Sequence, residues 1–139
     1  LEKTGKPFRP RQAPRADSGK WPMTVIALDW PRDELYRRIG ERVQQMLDGG
    51  LIQEVRGLLA RGVSPQAQAL QGIGYKELVP CVLGRTSLKE AAELIARRTR
   101  NYAKRQLTWL RAEPGVTWLP GAAGAKRLSA EAEHIMEDA

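Results

Sequence analysis

No proline or glycine interrupts the chain between Ser87 and Pro114. Ser87 and Glu90 stand in capping-box register, where each can satisfy an orphan backbone donor of a first helical turn. The span predicts one long helix that nothing breaks before Pro114-Gly115. Leu88, Ala91, Ala92, Ile95, Thr99, Tyr102, Ala103, Gln106 and Leu110 follow one face and are expected to form its core side. Arg97, Arg100, Lys104, Thr108 and Arg111 recur on another, flanked by Arg98 and Arg105. Between Arg97 and Arg111 lie six basic residues and no acidic one. Like charges at helical spacing repel, so an anionic partner is expected to compensate them. The whole chain points the same way: 139 residues carry 23 Lys+Arg against 16 Asp+Glu, a net charge of +7. A basic balance of this size suits nucleic acid, since counterions released from phosphate drive association. Tyr102 and Trp109 sit among these charges and could stack on unpaired bases. The simpler reading packs both rings into the core beneath the arginine stems, and for Trp109 it is preferred.

Upstream, Thr24-Val25-Ile26-Ala27-Leu28 is an apolar run between Pro22 and Asp29-Trp30-Pro31 and reads as a central strand. Its only sequence partner is a weaker strand at Val116-Thr117-Trp118-Leu119, so the rest of its sheet is expected in sequence outside this chain. From Arg32, the residues Leu35, Ile39, Val43, Met46 and Leu47 predict a helix closed by Gly49-Gly50. Leu51, Ile52, Val55, Leu58 and Leu59 predict a second, closed by Gly62. A polar link, Gln66 to Gln71, follows the Ser64-Pro65 turn. Gly72-Ile73-Gly74 then opens a short helix from Tyr75 to Leu83, with Pro80 expected in its first turn or bending it. Arg42 falls beside the apolar stripe of the first helix, so its guanidinium is expected to turn inward. There it needs an anion, either a carboxylate such as Glu41 or Glu77 or a ligand phosphate.

Residues 1–21 read as a basic, extended linker, with Lys3, Lys6, Arg9, Arg11, Arg15 and Lys20 among Pro7, Pro10 and Pro14. The start at Leu1 reads as a cut end. Residues 22–120 form the strand plus helical region, and 121–139 a C-terminal linker and helix. One cysteine, Cys81, excludes an intramolecular disulfide. No apolar run approaches the roughly 20 residues that span a bilayer, and a cytoplasmic setting is expected. Gly5-Lys6 and Gly19-Lys20 lack the rest of a phosphate-binding loop, and Gly72-Ile73-Gly74 is too short for a dinucleotide fingerprint. Gly121-Ala122-Ala123-Gly124 fits the loop of a KH domain but lacks the required sheet, and reads as linker. His134 has no second His or Cys at ligand spacing, and no nucleophile–base pair is visible. No catalytic residue and no metal ligand is expected in this chain.

Four stretches, in order and at matching spacing, resemble the tRNA dimethylallyltransferases (tRNA isopentenyltransferases, the IPP transferase family). They are Leu1-Glu2-Lys3-Thr4-Gly5-Lys6-Pro7; Arg32-Asp33-Glu34-Leu35-Tyr36-Arg37-Arg38-Ile39, continuing to Leu58-Leu59; Gln71-Gly72-Ile73-Gly74-Tyr75-Lys76-Glu77-Leu78; and Thr99 to Arg111. The last, with Lys104-Arg105-Gln106 and Thr108-Trp109-Leu110-Arg111, is the most specific. Departures from the family pattern include Pro31, Gly40 and Gln71.

The resemblance implies a mainly α chain, the helical C-terminal region of a P-loop-kinase-like α/β enzyme, contributing about one strand to a parallel sheet. It implies transfer of a dimethylallyl group from dimethylallyl diphosphate to N6 of the adenosine 3′ of the anticodon in tRNA. It also implies nucleotide-fold chemistry with Mg2+, bound mainly by an N-terminal half that carries the phosphate-binding loop and a catalytic aspartate, and the chain alone is expected to be inactive. Arg42 matches a family arginine that contacts the donor diphosphate. Two segments match tRNA contacts: Gln66, Ala67, Gln68, Ala69, Leu70 and Gln71, and Thr99, Arg100, Asn101, Tyr102, Ala103, Lys104, Arg105 and Gln106. The competing readings from the residues are a stand-alone helical RNA- or DNA-binding module without catalysis, and a basic protein-interaction domain with an acidic partner.

Overall fold

The computed structural model describes residues 24–137. The expected basic linker at 1–21 and the Leu1–Pro7 block lie outside the described residues. Strand β1, Val25–Asp29, enters helix α1, Arg32–Asp48, which folds back through Gly49-Gly50 into α2, Leu51–Ala60. A single 3-10 turn, Gln68–Gln71, leads to α3, Tyr75–Val82, and then to α4, Leu88–Ala112. Strand β2, Val116–Pro120, a 3-10 turn at Gly121–Ala123 and α5, Ala125–Glu137, complete the order.

β1 and β2 pair in parallel, from Val25 opposite Val116 to Asp29 opposite Pro120. The weaker strand of the sequence is thus the neighbour of the stronger one. Antiparallel strands can be joined by a tight turn, but a parallel pair needs a crossover, and here all four intervening helices supply it. The core lies within that crossover. Val43 and Leu47 of α1, Leu51 and Val55 of α2, Leu70 of the first 3-10 turn, Leu78 and Val79 of α3, and Ala91, Ile95 and Ala96 of α4 form one cluster. Val55, Leu70, Leu78 and Ile95 are its most fully enclosed members. Each such aliphatic side chain contributes roughly 1.5–3 kcal/mol by leaving water. In the described part of α5 no residue is buried.

Two local expectations need correction. Pro80 sits inside α3, beyond its first turn, which excludes the first of the two placements expected for it. The long helix buries Ala91, Ile95 and Ala96, but its expected core face does not continue. Leu88 is 43% exposed, Tyr102 48% and Trp109 61%, and Gln106 is also exposed. For Tyr102, Gln106 and Trp109, length explains this. The eight residues of α3 span about 12 Å whereas the 25 of α4 span about 37 Å. The stripe that packs on α3 therefore runs on past its partner into solvent. Beyond Thr99 the half-buried positions are Arg100, Ala103, Leu107 and Leu110. Arg100 lies over Tyr36 of α1, 5.7 Å from the ring centroid, so the inward face has swung from α3 toward α1.

Candidate nucleic-acid interface

The capping box that opens α4 is present: Ser87 Oγ accepts from the Glu90 N–H at 3.1 Å, and Glu90 Oε2 accepts from the Ser87 N–H at 2.8 Å. These bonds from Ser87 hold the Glu90 carboxyl below its ordinary range. A start this well satisfied lets the helix continue through residues whose charges repel. Along its outer side Arg98, Tyr102, Arg105 and Trp109 succeed one another at steps of four, three and four. The Arg105 guanidinium lies 5.7 Å from the Tyr102 ring centroid, which braces both side chains. Lys104, Arg105 and Arg111 are exposed and make no ion pair among the described residues.

Arg98 differs from them. Its guanidinium meets the carboxylate of Glu77, whose side chain has 0% exposure. The second Glu77 oxygen accepts from the Gly74 N–H at 2.7 Å. Gly74 holds φ +103°, a conformation that glycine alone adopts without strain. One buried carboxylate thus ties the Gly72-Ile73-Gly74 turn to the base of the basic helix. Tyr75 ties the same turn to α2, its hydroxyl donating to Glu54 Oε1 at 2.7 Å. That bond keeps the Tyr75 phenol protonated above its ordinary range.

The loop before this turn is self-braced. Ser64 Oγ donates to Gln66 Oε1 at 2.8 Å, and Gln71 Nε2 donates to the Pro65 carbonyl at 3.2 Å. Gln66, Gln68, Ala69 and Gln71 are exposed and Ala67 is half-buried. Leu70 is 1% exposed, so it anchors the loop in the core and its side chain is closed to any ligand. Gln66 and Gln71 share a hollow of about 300 Å³ with Lys76 and Arg85. In the helical segment Asn101, Tyr102, Lys104, Arg105 and Gln106 are exposed, whereas Thr99, Arg100 and Ala103 are half-buried. Thr99 returns its hydroxyl to the Ile95 carbonyl and Arg100 its Nε to the Ala96 carbonyl.

Arg42 is exposed, not turned inward. The buried positions of α1 are Ile39, Val43 and Leu47, and Arg42 falls outside that stripe. Both carboxylates considered for it are engaged elsewhere, Glu41 with Arg37 and Glu77 with Arg98. Glu34 also binds Arg37, which holds the Glu34 carboxyl below its ordinary range.

Sequence reasoning missed three features: the exposure of Trp109, the engagement of Arg98 by Glu77, and the seat of Trp30. A Cβ on Gly121 would lie 2.0 Å from the Trp30 Nε1, so the indole rests directly on the backbone of the segment read as linker. For Trp109 a signal existed, since its spacing from Arg98, Tyr102 and Arg105 continues one stripe. Among the described residues no helix is long and apolar enough to cross a membrane. No three His, Cys, Asp or Glu side chains among them gather in a way that could hold a metal ion.

The molecule is similar in fold to the full-length tRNA isopentenylpyrophosphate transferase of Bacillus halodurans, with a TM-score of 0.76 and 39% identity over 83% of this chain and 38% of that one. The Staphylococcus epidermidis tRNA delta(2)-isopentenylpyrophosphate transferase gives a TM-score of 0.74 and 37% identity, over 82% of this chain and 37% of that one. In sequence, the tRNA dimethylallyltransferase of Magnetococcus marinus is 47% identical over 73% of this chain and 33% of its own length. That of Geobacillus kaustophilus is 43% identical over 95% of this chain and 41% of its own length. The chain thus spans between a third and about two fifths of the length of such relatives. The family model described as IPP transferase matches residues 1–113, and the chain belongs to that family.

Proposed function

We propose that this chain is the tRNA-gripping region of an enzyme that moves a dimethylallyl group from dimethylallyl diphosphate to N6 of the adenosine 3′ of the anticodon. The exposed cation–aromatic face of α4 beyond Thr99 carries this reading. Lys104, Arg105 and Arg111 hold phosphates of the anticodon stem, while Tyr102 and Trp109 offer rings on which unpaired bases stack. Gln66, Gln68 and Gln71, on a braced loop tied to the base of α4 through Gly74 and Glu77, meet splayed bases. Holding the stem and the loop together lets the target adenine leave its stack.

The chemistry joins N6 to the prenyl carbon, releases diphosphate, and passes the N6 proton to a catalytic aspartate. That aspartate, the phosphate-binding loop and the ligands of Mg2+ belong to the half of the enzyme outside this sequence, so the chain alone is inactive. Arg42, exposed and without an ion pair among the described residues, reaches from α1 to the donor diphosphate. The reaction takes place in the cytoplasm.

The test is a titration of the chain with an anticodon stem-loop at several salt concentrations. Replacing Lys104 and Arg105 together by Ala should weaken binding and reduce the salt slope by about two. An unchanged slope would refute the assignment. In the complete enzyme Arg42→Ala should impair donor use, and normal donor kinetics would remove that role.

A further inference from the structure

The carboxyl ends of β1 and β2 meet at Asp29 and Pro120, and the chain leaves them through Trp30 and Gly121. In α/β folds, ligands collect outside the carboxyl ends of parallel strands. A hollow of about 260 Å³ opens here between the start of α1 and the second half of α4. Trp30 and Tyr36 wall it, and Arg32, Lys104 and Arg111 edge it, with Leu35 and Leu107 at its apolar side. No carboxylate lines it. Among the described residues none of the three cations makes an ion pair. The larger hollow on the other side of Tyr36 contrasts with it, since Glu90 and Glu93 line that one beside Arg97 and Arg100.

The walls are set before any ligand arrives. Trp30 rests on the Gly121 backbone, where a single added carbon would collide with its indole. The Arg38 guanidinium lies 4.3 Å from its ring centroid. Tyr36 carries the Arg32 guanidinium at 5.2 Å. Three positive charges therefore surround a hollow with fixed aromatic sides, and only an anion offsets their mutual repulsion.

We propose that this groove binds a phosphate group, with Arg32 as a binding residue that the α4 segment does not include. Arg32 and Arg111 supply planar, forked donors and Lys104 a point charge. The phosphate has two sources to be distinguished, a backbone phosphate of RNA or a free inorganic diphosphate. The RNA source rests on the function proposed above.

Calorimetric titration of the full chain with inorganic pyrophosphate, and separately with an anticodon stem-loop, tests the groove in the native chain, Arg32→Gln and Arg111→Gln. Arg105→Ala serves as a probe of the outer face, and thermal midpoints check that each variant folds. Pyrophosphate binding weakened about tenfold or more by both groove substitutions supports the proposal, with a free diphosphate as the source. A salt slope for RNA reduced by about one in Arg32→Gln, with no pyrophosphate competition, supports it with backbone phosphate as the source. If Arg32→Gln and Arg111→Gln change neither titration, the groove is overturned. In that case a loss of RNA affinity in Arg105→Ala leaves the proposed function standing on the outer face without Arg111, and no loss removes both.

Discussion

The two halves of α4 share one helix, one period and a similar supply of arginines, yet they do opposite things with them. In the first half Ala91, Ile95 and Ala96 are buried and Arg98 is bound to a fully enclosed Glu77. In the second half Tyr102 and Trp109 are exposed, and Lys104, Arg105 and Arg111 meet no carboxylate among the described residues. The difference lies in the neighbours. Where α3 runs alongside, the stripe is core, and where α3 has ended, the same stripe is surface. Periodicity says which residues share a face, but the length of the adjacent element decides what that face meets.

This contrast can be broken or sharpened by substitution. Ile95→Ala, in the packed half, should cost about 3 kcal/mol of stability by urea denaturation, because the site is enclosed on all sides. Glu77→Ala should cost about 2 kcal/mol, reduced from the value for a wholly buried pair because Arg98 keeps 42% exposure and regains water. Glu77→Gln should cost less, since an amide oxygen still accepts from Gly74. It should leave the salt slope for RNA unchanged, because no phosphate contact is lost. Trp109→Ala, in the open half, should reverse the pattern, with stability unchanged within about 0.5 kcal/mol and stem-loop affinity reduced by about 1–2 kcal/mol. An equal loss of stability in Trp109→Ala would erase the distinction between the halves.

The smallest effect is at the cap. Ser87→Ala should cost about 1 kcal/mol. Part of that cost should depend on pH. The Glu90 carboxyl is held below its ordinary range in the folded state, so its contribution is complete above the unfolded value and fades as pH falls through the folded one. The stability gap between the native chain and Ser87→Ala should narrow in that acidic window.

Much of this architecture was legible. Alternation of apolar runs and breakers marked β1, α1, α2 and α3 within a few residues, and the Ser87–Glu90 spacing marked the start of α4. The basic character of the second half of α4 followed from charge order alone. The departures share one origin, which is that they depend on partners distant in sequence. Arg98 is engaged by Glu77 on another helix, and nothing in its local spacing separates it from Arg105. Trp30 finds its seat on Gly121, across the parallel sheet. Arg42 misses the interior of α1 because it lies one step before Val43, a difference that a stripe drawn from Ile39 and Met46 is too broad to resolve.

Because β1 and β2 run in parallel, the peptide departs for the helices at one end of the sheet, after Asp29, and returns at the other, into Val116. Each of these two threads carries a proline, Pro31 just before α1 and Pro114 just after α4. A pyrrolidine ring holds φ near one value and narrows the residue before it. The helical lobe is thus tied to both ends of the sheet by stiffened connections, which limits how far it can pivot about either one.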